Sequence, residues 1–306
     1  MSSARGEVTG VPRLDEIGPA DPRRVWGVLN QAQRNAAYDN NAAVSNSAEL
    51  IEERNAASAA LRTARPARLD LAYGRRERNC WDLFPAENPH APCLVFLHGG
   101  YWQRNSRENF SMMAEGVMAH GWSAAIPGYS LAPQATLTDI VAEIDAALDW
   151  LQKEGAKHGI AGPVLLTGWS AGAQLAALAL SHPLVVAGIG LSGVYELGPI
   201  RDTWLNDALR LTDEEIETLS PLRLAPVMKP FHIAYGTEEL PALINDARSL
   251  HAHRAAAQAP GYLMPICHRN HFSILDELRR ADGELTRRAV TDHNLILAAN
   301  NRVPKI

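Results

Sequence analysis

A chain of 306 residues with 46% hydrophobic and 21% charged residues has ample material for a buried core, which excludes a polypeptide disordered throughout. Twenty-nine Lys and Arg against 34 Asp and Glu give a formal net charge of -5, so no positive field gathers polyphosphate and nucleic acid is not an expected partner. The opening residues, with Arg5, Glu7, Arg13, Asp15 and Glu16, lack the apolar run of a signal peptide, and no segment holds 18 uncharged apolar residues, so a cytoplasmic protein without a membrane partner is expected.

Residues 1 to about 22 carry Gly6, Gly10, Pro12, Gly18, Pro19 and Pro22 without periodicity and read as a loose lead-in. Arg23 to Tyr38 and about Ser47 to Thr63 are alanine-rich, with Trp26, Leu29, Leu50, Ile51 and Leu61 as apolar points, and predict two helices. Residues 1–65 thus form an N-terminal extension that either covers a site or packs on the core. From Pro66 onward short apolar strands alternate with longer helical segments, the rhythm of crossover units that build a mostly parallel sheet flanked by helices. This places an α/β domain over residues 66–306. The predicted strands are Arg68–Tyr73, Asn79–Phe84, Cys93–Leu97, Ser123–Ile126, Val164–Thr167, Val186–Leu191, Phe231–Tyr235 and Tyr262–Ile266. The clearest helix is Leu137–Gln152, where Ile140, Val141, Ile144, Ala147, Leu148 and Leu151 make one apolar face that should lie on the sheet. A segment of mixed charge at about 195–224 breaks the rhythm and reads as an insertion over the site. The three cysteines, Cys80, Cys93 and Cys267, are odd in number, lack metal-ligand spacing and are expected to be buried free thiols.

The strongest chemical signal is Gly168-Trp169-Ser170-Ala171-Gly172, set between the apolar Val164-Leu165-Leu166 and the helix-forming Ala173 to Leu178. A serine raised on a sharp strand-to-helix turn leaves no room for β-carbons two residues to either side, which is why glycines flank it. Such an elbow presents Ser170 as a nucleophile. His98-Gly99-Gly100-Tyr101-Trp102 follows the strand Cys93–Leu97, 72 residues before Ser170. Acyl transfer needs two preorganised N–H donors for the developing oxyanion. Ala171 is a candidate on one side, and Gly100 and Tyr101 on the other. His98 reads as orienting its loop, while His98, Gly99, Trp102 and Trp169 are candidate walls of the substrate pocket. A general base is expected after the last strand, and His271 fits better than its neighbour His268 because it stands at a helix start. With no carboxylate or cysteine cluster beside these two histidines, neither a metal nor any other cofactor is expected. The acid should end the strand Phe231–Tyr235. Glu238 and Glu239 both stand there, and only one can face His271 because adjacent residues point different ways.

With these pieces together, the chain resembles the kynurenine formamidases, or arylformamidases, of the α/β-hydrolase fold over roughly residues 66–282. The likeness rests on His98 to Gln103, Gly128-Tyr129-Ser130-Leu131-Ala132-Pro133, the serine elbow with Ala173-Gln174-Leu175-Ala176, and Leu191 to Ile200. The resemblance implies that Glu239, followed by Leu240-Pro241, is the acid, that His271-Phe272 carries the base, and that the substrate is a small N-formyl or N-acyl arylamine. Two departures stand out. The family elbow usually has His where this chain has Trp169, and often Asp where it has Glu239. A broad carboxylesterase uses the same constellation, and a binding protein could keep the fold without the chemistry. The expected partner is a small-molecule substrate, with assembly into a homo-oligomer left open.

Overall fold

The computed structural model describes residues 26–291. The lead-in expected over residues 1–22 lies outside them, as do the first residues of the helix expected from Arg23. The remainder of that helix is broken. A helical turn over residues 26–28 ends, and Asn30 starts a new helix at Gln31–Ala36 with reciprocal caps to Gln33 of 3.0 and 2.9 Å. An asparagine side chain offers the backbone this local bond, and so interrupts a helix that alanine content alone would continue. Helix α1 (Ser47–Ala64) matches the second expected helix.

The strands are β1 (Arg68–Ala72), β2 (Cys80–Phe84), β3 (Cys93–Leu97), β4 (Ser123–Pro127), β5 (Val164–Trp169), β6 (Val185–Leu191), β7 (Phe231–Gly236) and β8 (Leu263–Ile266). They lie in the order β1-β2-β4-β3-β5-β6-β7-β8; β2 is antiparallel to β1 and β4, and every later pairing is parallel. All eight predicted strands are present with ends shifted by no more than one or two residues. The side-chain period of two divides each central strand between the two faces. Cys93, Val95, Leu97, Val164 and Leu166 enter one apolar cluster, and Leu94, Phe96, Leu165 and Trp169 the other.

Helix α2 (Leu137–Glu154) opens with a Thr136–Asp139 capping box and buries Leu137, Ile140, Ile144, Ala147, Leu148 and Leu151, the face its spacing predicts. Each of those leucines and isoleucines contributes about 1.5–3 kcal/mol on leaving water. Helix α3 (Ala171–Leu178) packs on the same face of the sheet, and α4 (Pro241–Ala256) follows β7.

Helix α1 docks differently. Its buried residues are Ser47, Arg54, Ser58 and Leu61, mostly polar, and they meet the 3₁₀ segment Arg107–Ala114. The Ser58 hydroxyl donates to Asn109 O at 2.8 Å and accepts from Met112 N–H at 3.3 Å. Arg62 and Arg107 both pair with the fully buried Asp82 of β2, and Arg107 also reaches Asp70. A buried carboxylate needs such partners, so this cluster fixes the extension to the antiparallel edge of the sheet. Among the described residues, no helix is long and apolar enough to cross a membrane.

The cysteines correct the sequence expectation. All three are free, but only Cys93 is buried; Cys80 is half-buried and Cys267 is exposed. Cys267 lies one residue past the end of β8, where the chain has left the sheet and apolar neighbours no longer imply burial.

Candidate active site

Strand β5 ends and α3 begins at Ser170, whose φ of 57° and ψ of -121° put it in a region that costs a residue with a β-carbon about 1–3 kcal/mol. The flanking glycines make the turn possible. An added Cβ on Gly172 falls 2.1 Å from Leu97 O, and one on Gly168 falls 2.0 Å from Gly172 O. Ser170 N–H donates to Leu191 O at 2.8 Å, which holds the elbow against the end of β6.

His271 Nε2 lies 3.2 Å from Ser170 Oγ, and His271 Nδ1 lies 3.1 Å from Glu239 Oε2. All three residues are buried. Glu239 Oε1 accepts from Ser192 Oγ at 2.5 Å and from Gly236 N–H at 2.6 Å, so three donors surround one carboxylate. Glu238 points away. It is exposed and pairs with the still more exposed His268 at 3.5 Å. Of the two glutamates and two histidines considered from the sequence, the structure brings Glu239 and His271 to Ser170 and leaves the others in solvent.

The loop after β3 lies against the elbow, since a Cβ on Gly99 falls 2.8 Å from Ser170 Cβ. Among the described residues, no acceptor takes the N–H groups of Gly100, Tyr101 or Ala171. The loop is wound tightly, with φ of 121° at Gly100, 52° at Tyr101 and 57° at Trp102. That winding turns Trp102 inward. It is fully buried in the core beneath α3 and donates from Nε1 to Gln174 Oε1 at 3.1 Å. His98 and Gly99 are likewise buried behind the loop. None of His98, Gly99 and Trp102 lines the pocket at Ser170, which corrects the sequence expectation; Gly100, Tyr101 and Trp169 do line it.

His98 instead braces the loop. Its Nδ1 donates to Gly99 O at 2.9 Å, and its ring stacks on Tyr129 at 4.2 Å and on Phe110 at 5.7 Å. Tyr129, from the Gly128-Tyr129 motif, donates its hydroxyl to His98 O at 2.6 Å. Burial holds the His98 imidazolium pKa down to about 3. The sign follows from proton counts: below about pH 6.5 the unfolded chain binds a proton that the native chain refuses, so stability falls with falling pH down to about 3. At about 1.4 kcal/mol per pH unit, His98 removes about 2–3 kcal/mol between pH 6.5 and 4.5. Urea unfolding of wild type and His98→Gln across that range checks this. The expected result is a shallower acid slope in the variant, and equal slopes would show that His98 is not responsible.

One contributor was not found from the sequence, and two that it named have roles the sequence did not show. Ser192, with φ of 53° just past β6, holds the far side of the Glu239 carboxylate. Its signal was its place at a strand end beside the elbow. Trp169 Nε1 donates to His271 O at 2.8 Å, and its ring lies 4.9 Å from the imidazole, so the residue beside the serine also pins the loop of the histidine. The N-terminal extension supplies pocket wall: Tyr38, Asp39, Asn40, Ile51 and Arg54 all line it, joined by Trp204 from the 195–224 segment. Tyr101 ties the two parts together, donating its hydroxyl to Tyr38 O at 2.7 Å and accepting from Asn40 Nδ2 at 2.9 Å.

A family model described as BD-FAE matches residues 82–182, the stretch that holds the β3 loop and the elbow. Kynurenine formamidase from Danio rerio is 26% identical over 227 residues, covering 69% of this chain and 76% of that protein. A thioesterase candidate from Silicibacter sp. TM1040 superposes with a TM-score of 0.74 at 26% identity, covering 83% of this chain and 97% of its own. The chain has the α/β-hydrolase fold and is similar to the kynurenine formamidases. Esterase B from Lactobacillus rhamnosis shares the fold at 18% identity, with a TM-score of 0.66 over 88% of this chain and 96% of its own. The likeness to the formamidase and to the Silicibacter protein, over 69% and 83% of this chain, extends well beyond the BD-FAE stretch.

Proposed function

We propose that this α/β-hydrolase is a serine hydrolase that transfers a small acyl group to water, with Ser170 as nucleophile, His271 as general base and Glu239 as the group that orients the imidazole. The observation that carries the reading is the continuous chain of contacts from Ser170 Oγ through both ring nitrogens of His271 to Glu239. Glu239 keeps the proton on Nδ1, which leaves Nε2 free to take the Ser170 proton as Oγ attacks the acyl carbon. The carbonyl oxygen becomes an oxyanion facing the N–H groups of Ala171 and of Gly100 or Tyr101, and such a donor is worth about 3–4 kcal/mol. The imidazolium then gives its proton to the leaving nitrogen or oxygen. Water, deprotonated by the same Nε2, attacks the acyl-serine; the acyl–Oγ bond breaks, the acid leaves, and the imidazolium returns its proton to Ser170 Oγ.

The substrate class is a small N-formyl or N-acyl arylamine. The likeness to kynurenine formamidase supports it, as does a pocket bounded by Tyr101, Trp169, Trp204 and Phe272, rings that suit a flat aryl group. The second reading, a carboxylesterase of broad scope, is supported by the shared fold of the Lactobacillus esterase. A panel of formyl, acetyl and butyryl anilides with the matching aryl esters separates the two. Formanilide should be hydrolysed, and preferred over acetanilide by tenfold or more, since one methyl group in a closed acyl site is worth about 1–3 kcal/mol. Turnover of the esters alone, with every anilide inert, would establish the esterase reading instead.

A further inference from the structure

Arg54 stands on α1, outside the part of the chain that carries the serine chemistry, yet it lines the same pocket as Ser170 and His271. It is only 5% exposed. Its guanidinium lies 4.3 Å from the centre of the Phe110 ring, and its Nε and Nη2 donate to Asn55 Oδ1 at 3.2 and 2.9 Å. Nη2 also reaches Asn105 Oδ1 at 3.3 Å. These acceptors are neutral amides. Among the described residues no carboxylate comes within ion-pair distance of Arg54, and Nη1 makes no hydrogen bond at all.

That arrangement is unusual for a buried cation. A guanidinium out of water is normally matched by a carboxylate, because an unpaired buried charge costs several kcal/mol. The other two buried arginines among the described residues are better satisfied: Arg107 meets Asp70 and Asp82, and Arg254, which also lacks a carboxylate there, gives Nη1 to Val227 O and Nη2 to Lys229 O and Pro260 O. Burial alone lowers the Arg54 pKa, to about 10, so it remains charged at neutral pH. The other charged groups around the pocket do not neutralise it. Asp39 uses Oδ1 to cap Ala42 N–H at 3.1 Å, and Arg104 is exposed with its guanidinium 5.4 Å over Trp204. Glu53 and Asp276 line an adjoining cleft that Arg54 also lines, and neither comes within ion-pair distance of it.

We propose that Arg54 is a substrate-binding residue, whose Nη1 receives a carboxylate on the leaving-group portion of the substrate while Ser170 attacks the acyl carbon. The inference rests on the hydrolase reading and deepens it: the preferred substrates are acylated amines or alcohols that carry a negative charge away from the scissile bond. The amides of Asn55 and Asn105 and the ring of Phe110 hold the guanidinium in place, so little orientation is lost when the anion arrives. The extension then does more than cover the sheet, because without α1 the pocket has no buried cation.

The test compares kcat/KM for formanilide with its ring-carboxylated isomers in wild type, Arg54→Met and Arg54→Lys. In wild type the best carboxylated isomer should exceed the neutral parent by tenfold or more. Arg54→Met should reduce that ratio about ten- to a hundredfold, the range for a hydrogen bond to a charged group, and Arg54→Lys should restore part of it. A wild-type ratio near one, or a ratio unchanged in Arg54→Met, overturns the proposal. A binding measurement stands apart from turnover and from the folding of the Met variant: calorimetry on the wild-type chain with benzoate and with the neutral benzamide. Benzoate should bind at least tenfold more tightly, and equal affinities overturn the proposal. If no anilide or ester is hydrolysed in a Ser170-dependent way, the hydrolase reading fails by itself, and the benzoate comparison repeated in Arg54→Met still decides whether Arg54 binds an anion, since a preference that survives the substitution belongs to the N–H groups at Ser170 and overturns the proposal.

Discussion

Ser170→Ala should lower kcat on the best small acyl substrate by about 10⁴-fold or more while KM changes little. The reason is local. Ser170 sits in a strained conformation held by Ser170 N–H to Leu191 O at 2.8 Å, a contact made by the backbone, which alanine keeps. The variant therefore retains the pocket and the N–H groups facing it, and loses only the oxygen that would become acylated. Residual hydrolysis then reports what donors and binding alone achieve for attack by water. The assay should be paired with trapping: an aryl ester under burst conditions acylates wild type stoichiometrically, and the variant shows no burst. Unchanged turnover in pure Ser170→Ala protein would remove Ser170 as nucleophile and with it the proposed mechanism.

Glu239→Gln should cost about 10³- to 10⁴-fold in kcat, more than its small change of shape suggests. Glu239 Oε1 already accepts from Ser192 Oγ and Gly236 N–H. A glutamine satisfies those donors only by placing its carbonyl oxygen there, which turns its NH₂ toward His271 Nδ1. Nδ1 must then accept, so the ring proton moves to Nε2, the atom 3.2 Å from Ser170 Oγ. An imidazole protonated there cannot take the serine proton. Glu238→Gln is the internal comparison. Its carboxylate is exposed and paired with an exposed histidine, a contact worth about 0–1 kcal/mol, so activity should remain within about twofold. Greater damage from the change at 238 than from the change at 239 would reverse the assignment of the acid.

The parts of the site that the sequence made legible are those where chemistry and backbone geometry demand the same residue. Glycines at 168 and 172 are needed for a turn that brings Leu97 O and Gly172 O within 2.1 Å of any added Cβ, so strand, glycine, serine, glycine and helix can be read together. The strands were legible because each central one must alternate its side chains between two apolar layers, which leaves a continuous apolar run in the sequence. One aromatic residue of the β3 loop was misread. Trp102 looked like pocket wall because it follows the glycines, but consecutive positive φ values reverse the chain and direct it into the core. No hydrophobic pattern records such a reversal, since a tryptophan is equally at home lining a pocket or filling a core.

By itself the sequence determined the order of the strands along the chain, the serine elbow, the glycine loop that precedes it and the short list of residues able to act as base and acid. Each depends on neighbours within a few residues, and their spacing is written in the chain. The resemblance favoured Glu239 over Glu238, but only the tertiary structure showed its carboxylate facing His271, Ser192 holding its other oxygen, and a helix more than a hundred residues before the serine bringing Arg54 to the pocket. Those outcomes depend on the direction in which a side chain leaves a turn and on polar contacts between distant segments. Neither has a period along the chain, because hydrogen bonds and ion pairs are set by where groups meet in space and not by how far apart they lie in sequence.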